Sequence, residues 1–180
     1  MSCKHWLAAL MSMFGLSACA TQTPLPLASH VDIERFMGRW YVIAHIPTWI
    51  EKQSYNAVES YALKPDGSIA TTFTFNEGGI HGPMKVYHPT GFVIEGSGNA
   101  LWGMQFVWPI KAQYKISHVA DDYSNTIVTR DKLDYVWIMA RTPSISEQDY
   151  QQLRGLVESY GYDMSKLRRV PQMERPRETP

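Results

Sequence analysis

Cysteine is almost absent: the 180 residues contain two, Cys3 and Cys19. Neither sign of charge is in excess, since 17 Lys and Arg face 17 Asp and Glu. A balanced chain carries no basic footprint for nucleic acid. Long apolar runs are missing too. The one sustained stretch, Trp6 to Leu16, is too short to cross a bilayer well. There is no Gly-rich phosphate loop, no nucleophile elbow, no metal-ligand run and no internal repeat. The histidines are dispersed; His45, His81, His88 and His118 show no ligand spacing and are expected in loops or on strand surfaces. No metal and no cofactor is therefore expected. What is present is ordinary globular material: 44% hydrophobic and 19% charged, at a length that suits one domain. Aromatics reach 12%, which fits strands or a ring-lined pocket.

The N-terminus reads as a processing segment. Lys4 gives a short basic start, Trp6 to Leu16 an apolar core, and small residues lead to Leu16-Ser17-Ala18-Cys19. That tetrad resembles the lipobox of bacterial lipoproteins; the alternative is an ordinary secretory signal with a chance cysteine. The resemblance implies a signal peptide over 1–18, an acylated Cys19, and a lipidated N-terminus with linker over 19–30. Several acyl chains on Cys19 anchor stably where one would not. Thr21 to Ser29, with Pro24 and Pro26, reads as an extended polar spacer. Ala20 in place of Asp points, in the sorting pattern this resembles, to the outer membrane, on its periplasmic face. With Cys3 removed and Cys19 acylated, the mature chain has no disulfide and no thiol metal site.

From Gly38 onward, short β-rich runs alternate with turn signals. The runs are Trp40 to Ile46, Asn56 to Leu63, Ser68 to Phe75, Pro83 to Ile94, Asn99 to Trp108, Gln113 to Val119, Ser124 to Thr129 and Asp134 to Ala140. Lys64-Pro65-Asp66-Gly67 is a strong turn, and Pro89 marks an edge, kink or bulge in the fourth run. About eight strands at short regular spacing predict a sandwich or an up-and-down barrel. The period then changes. Ser146 caps a helix whose Tyr150, Leu153, Val157 and Tyr160 share one face, with Gly161 just past its end. Leu167 to Val170 can add a last short strand, and the tail 171–180 reads as flexible.

Three short elements, in order, carry a family likeness. Phe36-Met37-Gly38-Arg39-Trp40-Tyr41 resembles the first lipocalin signature, G-x-W. Asp121-Asp122-Tyr123 resembles the second, T-D-Y, with Asp in place of Thr. Ile138-Met139-Ala140-Arg141-Thr142-Pro143 resembles the third, an arginine closing the last barrel strand. The chain is similar to bacterial outer-membrane lipocalins and their apolipoprotein D-like relatives, across residues 31–170. The resemblance implies an all-β fold: an eight-stranded antiparallel up-and-down barrel with one C-terminal α-helix packed outside. It also implies a barrel end closed by Gly38, Trp40 and Arg141. There the planar cation stacks on the indole and its N–H groups reach nearby carbonyls.

Strand alternation then assigns faces. Trp40 inward places Val42 and Ala44 inward; Arg141 inward places Met139, Trp137 and Tyr135 with it. Ala57, Glu59, Tyr61 and Leu63 share one face, and Trp102, Met104 and Phe106 another. Trp40, Leu63 and Met139 are expected to pack the closed end. Tyr61, Trp102, Met104, Phe106, Tyr135, Trp137 and Glu59 are the candidate ligand-binding residues. Glu59 is the odd member: a carboxyl on an apolar face must be paired, protonated or near water. Lys115, a Tyr, a His or a ligand head group are its candidate partners.

Three functions remain in view. The first, implied by the family, is a carrier that binds, stores or transports a fatty acid, lysophospholipid or similar amphiphile, as a monomer or weak homodimer. The second is a filled barrel working through a surface partner, with Pro47-Thr48-Trp49-Ile50 and Ala100-Leu101-Trp102 as mouth loops and Trp49 exposed. The third, an enzyme, lacks a nucleophile–base pair and is not expected.

Overall fold

The computed structural model describes residues 24–173. The signal-peptide segment 1–18, the acylation candidate Cys19 and residues 174–180 lie outside the described residues. Ten strands and two helices follow in the order α1 (Ile33–Phe36), β1 (Gly38–Ile46), β2 (Ser54–Leu63), β3 (Ile69–Glu77), β4 (Met84–Tyr87), β5 (Thr90–Val93), β6 (Leu101–Val107), β7 (Ile110–Val119), β8 (Asn125–Thr129), β9 (Val136–Ala140), α2 (Glu147–Ser159) and β10 (Arg168–Arg169).

Each barrel strand pairs antiparallel with its sequence neighbour, and β1 pairs with β9 from Tyr41↔Ala140 to Ile46↔Val136. The sheet thus closes on itself and leaves no long free edge. The short β4 and β5 are one barrel strand broken at His88-Pro89, where proline removes a ladder donor; both halves pair with β3. The barrel therefore has eight staves. Turn chemistry fixes its register. In the β2–β3 turn, Asp66 accepts from the Ser68 backbone N–H at 2.9 Å, and Gly67 takes the left-handed conformation at φ 78°.

The core has two layers. One fills the barrel interior; the other lies between the barrel wall and α2, where Tyr150, Leu153 and Val157 meet Tyr41, Ile43, Ile138 and Ala140. Ser146 caps α2 by accepting from the Asp149 N–H at 3.0 Å, and Gly161 follows at φ 88°.

Several expectations change. A bulge between Val42 and Ala44 shifts the pleat by one residue, so Ala44 joins the outer layer beside Ile43. His45 is fully buried rather than on a strand surface. Leu63 does not pack the closed end: it is 44% exposed, because β2 runs past the plug into its turn. Ala100 to Trp102 lies at the closed end, where β6 begins, not at the mouth. The linker is not a free spacer throughout. Leu25 is buried, Lys115 Nζ donates to its carbonyl at 3.0 Å, and the Ala28 N–H bonds the Ile116 carbonyl at 2.9 Å. The C-terminal stretch from Pro171 is held as far as Met173. The Pro171 carbonyl accepts from the Asn56 N–H, and the Gln172 amide bridges the Val42 and Ala57 carbonyls at 2.7 and 3.0 Å.

Candidate functional site

The closed end brings together all three sequence elements. Arg141 places its guanidinium carbon 3.7 Å from the Trp40 ring centre and donates to the carbonyls of Arg39 at 2.9 Å and Arg35 at 2.5 Å. Its Nε reaches the Tyr123 carbonyl at 3.4 Å. Trp40 Nε1 donates to the Phe36 carbonyl at 2.8 Å, so the plug is tied to α1 as well. Tyr123 adopts φ 61°, and its hydroxyl accepts from the Asp32 N–H at 2.7 Å. Gly38 sits at φ 88° with Arg141 alongside; a Cβ there would meet Nη1 at 3.5 Å, so the left-handed backbone, more than space, calls for glycine.

Directly above the plug the barrel is full of rings. Phe36 packs on Trp40 with centroids 5.0 Å apart and edge-on to Trp102 at 5.4 Å; Trp102 stacks on Tyr114 at 5.0 Å. Tyr61 completes the cluster, edge-on to Trp102 at 5.6 Å. Tyr61 and Trp102, candidates for ligand contact, therefore form the layer beneath the cavity and do not line it. Both sit near the closed ends of their strands, and Phe36 rises from below to hold them there.

The upper half of the barrel is open. A cavity of about 490 Å³ occupies it, within the roughly 300–1,000 Å³ usual for small-molecule sites. Met104, Phe106, Tyr135, Trp137 and Glu59, all candidates from the sequence, stand on its wall. Phe73, Tyr87, Ala112 and Tyr114 line it as well and were not singled out, although period-2 alternation along β3 and β7 signals Phe73 and Tyr114. The connection from Pro47 to Glu51 covers one side. No sequence signal marks Glu51, which reaches the cavity only because its loop folds inward.

The polar groups of the cavity are few and mostly acidic. Glu59 accepts a very short hydrogen bond from the Tyr61 hydroxyl, which also meets the Tyr114 hydroxyl at 2.6 Å. Burial, with the Glu51 charge adding, pushes the Glu59 carboxyl up from 4.5 to about 8, so it is neutral at pH 7. Lys115 is not its partner. That ammonium faces outward to Asp131 at 2.6 Å. Burial, with the Glu59 charge adding, likewise holds the Tyr114 hydroxyl well above its usual range. Glu51 accepts from Trp137 Nε1 at 3.1 Å and from the Thr48 N–H at 3.0 Å, with His45 Nδ1 at 3.6 Å from its other oxygen. At the rim, Arg130 pairs with Asp134 at 2.8 Å. Among the described residues, no group of three or more His, Cys, Asp or Glu is placed to hold a metal ion. The arrangement suits an apolar chain, with hydroxyl and neutral carboxyl groups at the floor and one ion pair at the mouth.

A lipocalin-like domain model matches residues 31–172, which is most of the chain. The chain is a lipocalin. Curated relatives include temperature-induced lipocalin-1 of Arabidopsis thaliana, 29% identical over 158 residues with 83% of each chain covered. Outer membrane lipoprotein Blc of Escherichia coli K12 is 26% identical over 173 residues, covering 89% of this chain and 92% of its own. Among solved structures, insecticyanin from the tobacco hornworm Manduca sexta superposes with a TM-score of 0.65 at 14% identity, over 84% of this lipocalin and 86% of that chain. At that identity the likeness speaks for the fold alone. Lipocalins bind small hydrophobic ligands and are generally carriers rather than enzymes.

Proposed function

We propose that this lipocalin is held on the periplasmic face of the outer membrane by an acylated Cys19. There it binds, stores or transports a single-chain lipid, a fatty acid or lysophospholipid. The carrying observation is the cavity itself: about 490 Å³, open at one end, walled by Phe73, Met104, Phe106, Tyr135 and Trp137. Rings and a thioether give broad, shape-tolerant contact, which suits a flexible chain. The cavity favours one orientation. At its floor a lipid carboxylate or phosphate would meet rings and the neutral Glu59 carboxyl, with no cation beside it among the described lining residues, whereas at the mouth it meets Arg130; the alkyl tail therefore points down and the head group stays near Arg130. The anchor reading is supported by Leu16 to Cys19 and by the name of the relative Blc, an outer membrane lipoprotein.

Delipidated protein should bind palmitate or lysophosphatidylethanolamine with micromolar affinity, about −8 kcal/mol, and shift Trp fluorescence as Trp137 is covered. Met104→Glu should abolish binding with the fold retained by circular dichroism. If single-chain lipids bind the Met104→Glu variant equally well, the cavity is not their site, and a surface partner becomes the better reading. Palmitate labelling that survives Cys19→Ser would refute the anchor.

A further inference from the structure

Exposed apolar side chains are spread over many soluble proteins, but here the extreme cases share one place. Among the described residues, the five most exposed large hydrophobics are Trp49 at 83%, Trp108 at 82%, Ile110 at 70%, and Val107 and Met84 at 68%; the next reach only 44%. Trp49 lies in the β1–β2 connection, Val107, Trp108 and Ile110 form the β6–β7 turn, and Met84 opens β4. In an up-and-down barrel these three connections are at the same end, and it is the end where the cavity opens. Three separate connections thus converge on one apolar rim, with two indoles leading it. An indole, apolar in body with one polar N–H, suits the boundary between head groups and acyl chains.

The path of the N-terminal segment bears on what this rim meets. The N-terminal segment runs along the outside of β7. At the closed end the Val31 N–H bonds the Gly98 carbonyl at 2.8 Å, and at the other end the Leu25 N–H reaches Asp131 at 3.3 Å. Asp131 belongs to the β8–β9 connection, so the chain reaches the barrel at the mouth. Cys19 precedes Pro24 by five residues, a span of roughly 17 Å at most. An acyl group on Cys19 is therefore tethered beside the rim, and the closed end, with its Arg141 plug, points away. Charge agrees. The partly exposed acids at this end have basic neighbours: Glu77 has Lys85, Asp131 has Lys115 and Asp134 has Arg130, while Glu51 is buried. Among the described residues, no bare carboxylate at the mouth repels an anionic lipid surface.

We infer that the rim formed by Trp49, Met84, Val107, Trp108 and Ile110 docks on the bilayer surface, so that the cavity opens against the membrane that holds the anchor. The inference rests on the acylated Cys19 of the proposed function. The anchor supplies retention and the rim supplies orientation: two signals of different kind acting at one end of the barrel.

The test uses the acylated chain in vesicles of phosphatidylethanolamine and phosphatidylglycerol. A solvent-sensitive fluorophore is placed at the rim through Lys132→Cys, or at the far end through Lys64→Cys. The rim label should shift to the blue and be shielded from an aqueous quencher, while the far label stays fully accessible. Adding Trp108→Asp and Met84→Asp should abolish the shielding. The chain should still sediment with the vesicles and still bind palmitate, since neither residue lines the cavity. Equal accessibility of the two labels overturns the inference. So does rim shielding that survives the two Asp substitutions, or that appears without vesicles as protein concentration rises and so marks a second copy. Sedimentation reports the anchor, palmitate binding the cavity and shielding the docking, so each can fail by itself.

Discussion

Half-buried Arg141 and fully enclosed Glu59 carry opposite electrostatic assignments. Arg141 keeps its charge by stacking on Trp40 and donating to three carbonyls, so its removal both empties a stacking face and leaves acceptors unpaired. Arg141→Ala should destabilise the barrel by about 1–3 kcal/mol in denaturant unfolding. A double-mutant cycle with Trp40→Phe should show coupling, and strict additivity would mean the contact is energetically idle. Glu59 is held neutral instead. Its carboxyl titrates near 8 when folded against 4.5 as an ordinary carboxyl, so the folded state binds the extra proton across that window. The contribution of Glu59 to stability should therefore be fully present below pH 4.5, fall by up to a few kcal/mol as pH rises toward 8, and level off above it. Glu59→Gln, which stays uncharged and can still accept from Tyr61, should flatten this fall. A wild-type urea midpoint that rises between pH 5 and 8 relative to the Gln variant would contradict it.

Elements divide the work between closing the barrel and opening it. β1 is long enough to serve both, and its bulge after Val42 decides which side chains do which. Below the bulge Trp40 fills the plug; above it His45 turns to Glu51 in the β1–β2 connection, and Ala44 faces outward to the second core layer. Simple alternation sent Ala44 inward and left His45 outside, because a bulge adds a residue without a composition signal. The helix was more legible. Its cap, buried face and terminating glycine are local features, each read from residues three or four apart. Ser146→Ala should cost about 0.5–2 kcal/mol in thermal or denaturant unfolding, because the Asp149 N–H loses its acceptor. No change at all would mean that α2 is held by Tyr150, Leu153 and Val157 alone.

Seen whole, the molecule is a barrel with a solid lower half and an open upper half. Eight β-rich runs with turn residues between them, a capped amphipathic helix and three ordered short elements were enough to determine the barrel, the helix outside it and the Trp40–Arg141 plug. The strands and the helix are set by local propensity, period-2 alternation and the chemistry of turns, all of which act between residues near in sequence; a barrel rather than a sandwich, and the Trp40–Arg141 plug, were legible through the likeness of the three short elements to lipocalins. Tertiary structure alone decided how deep the filling goes. Tyr61 and Met104 face the same interior, yet Tyr61 is locked in the aromatic layer with Phe36 and Trp102 while Met104 borders the cavity, since height along a tilted stave depends on shear and on what rises from below. The same holds for Glu51, which becomes a cavity group only through the fold of its loop, and for Leu25, whose place at the mouth depends on Lys115 and Asp131 far along the chain. Residue type marked each of these as polar or apolar. Only the assembled barrel decided which end and which depth it faced, because those are set by contacts between staves that the sequence holds far apart.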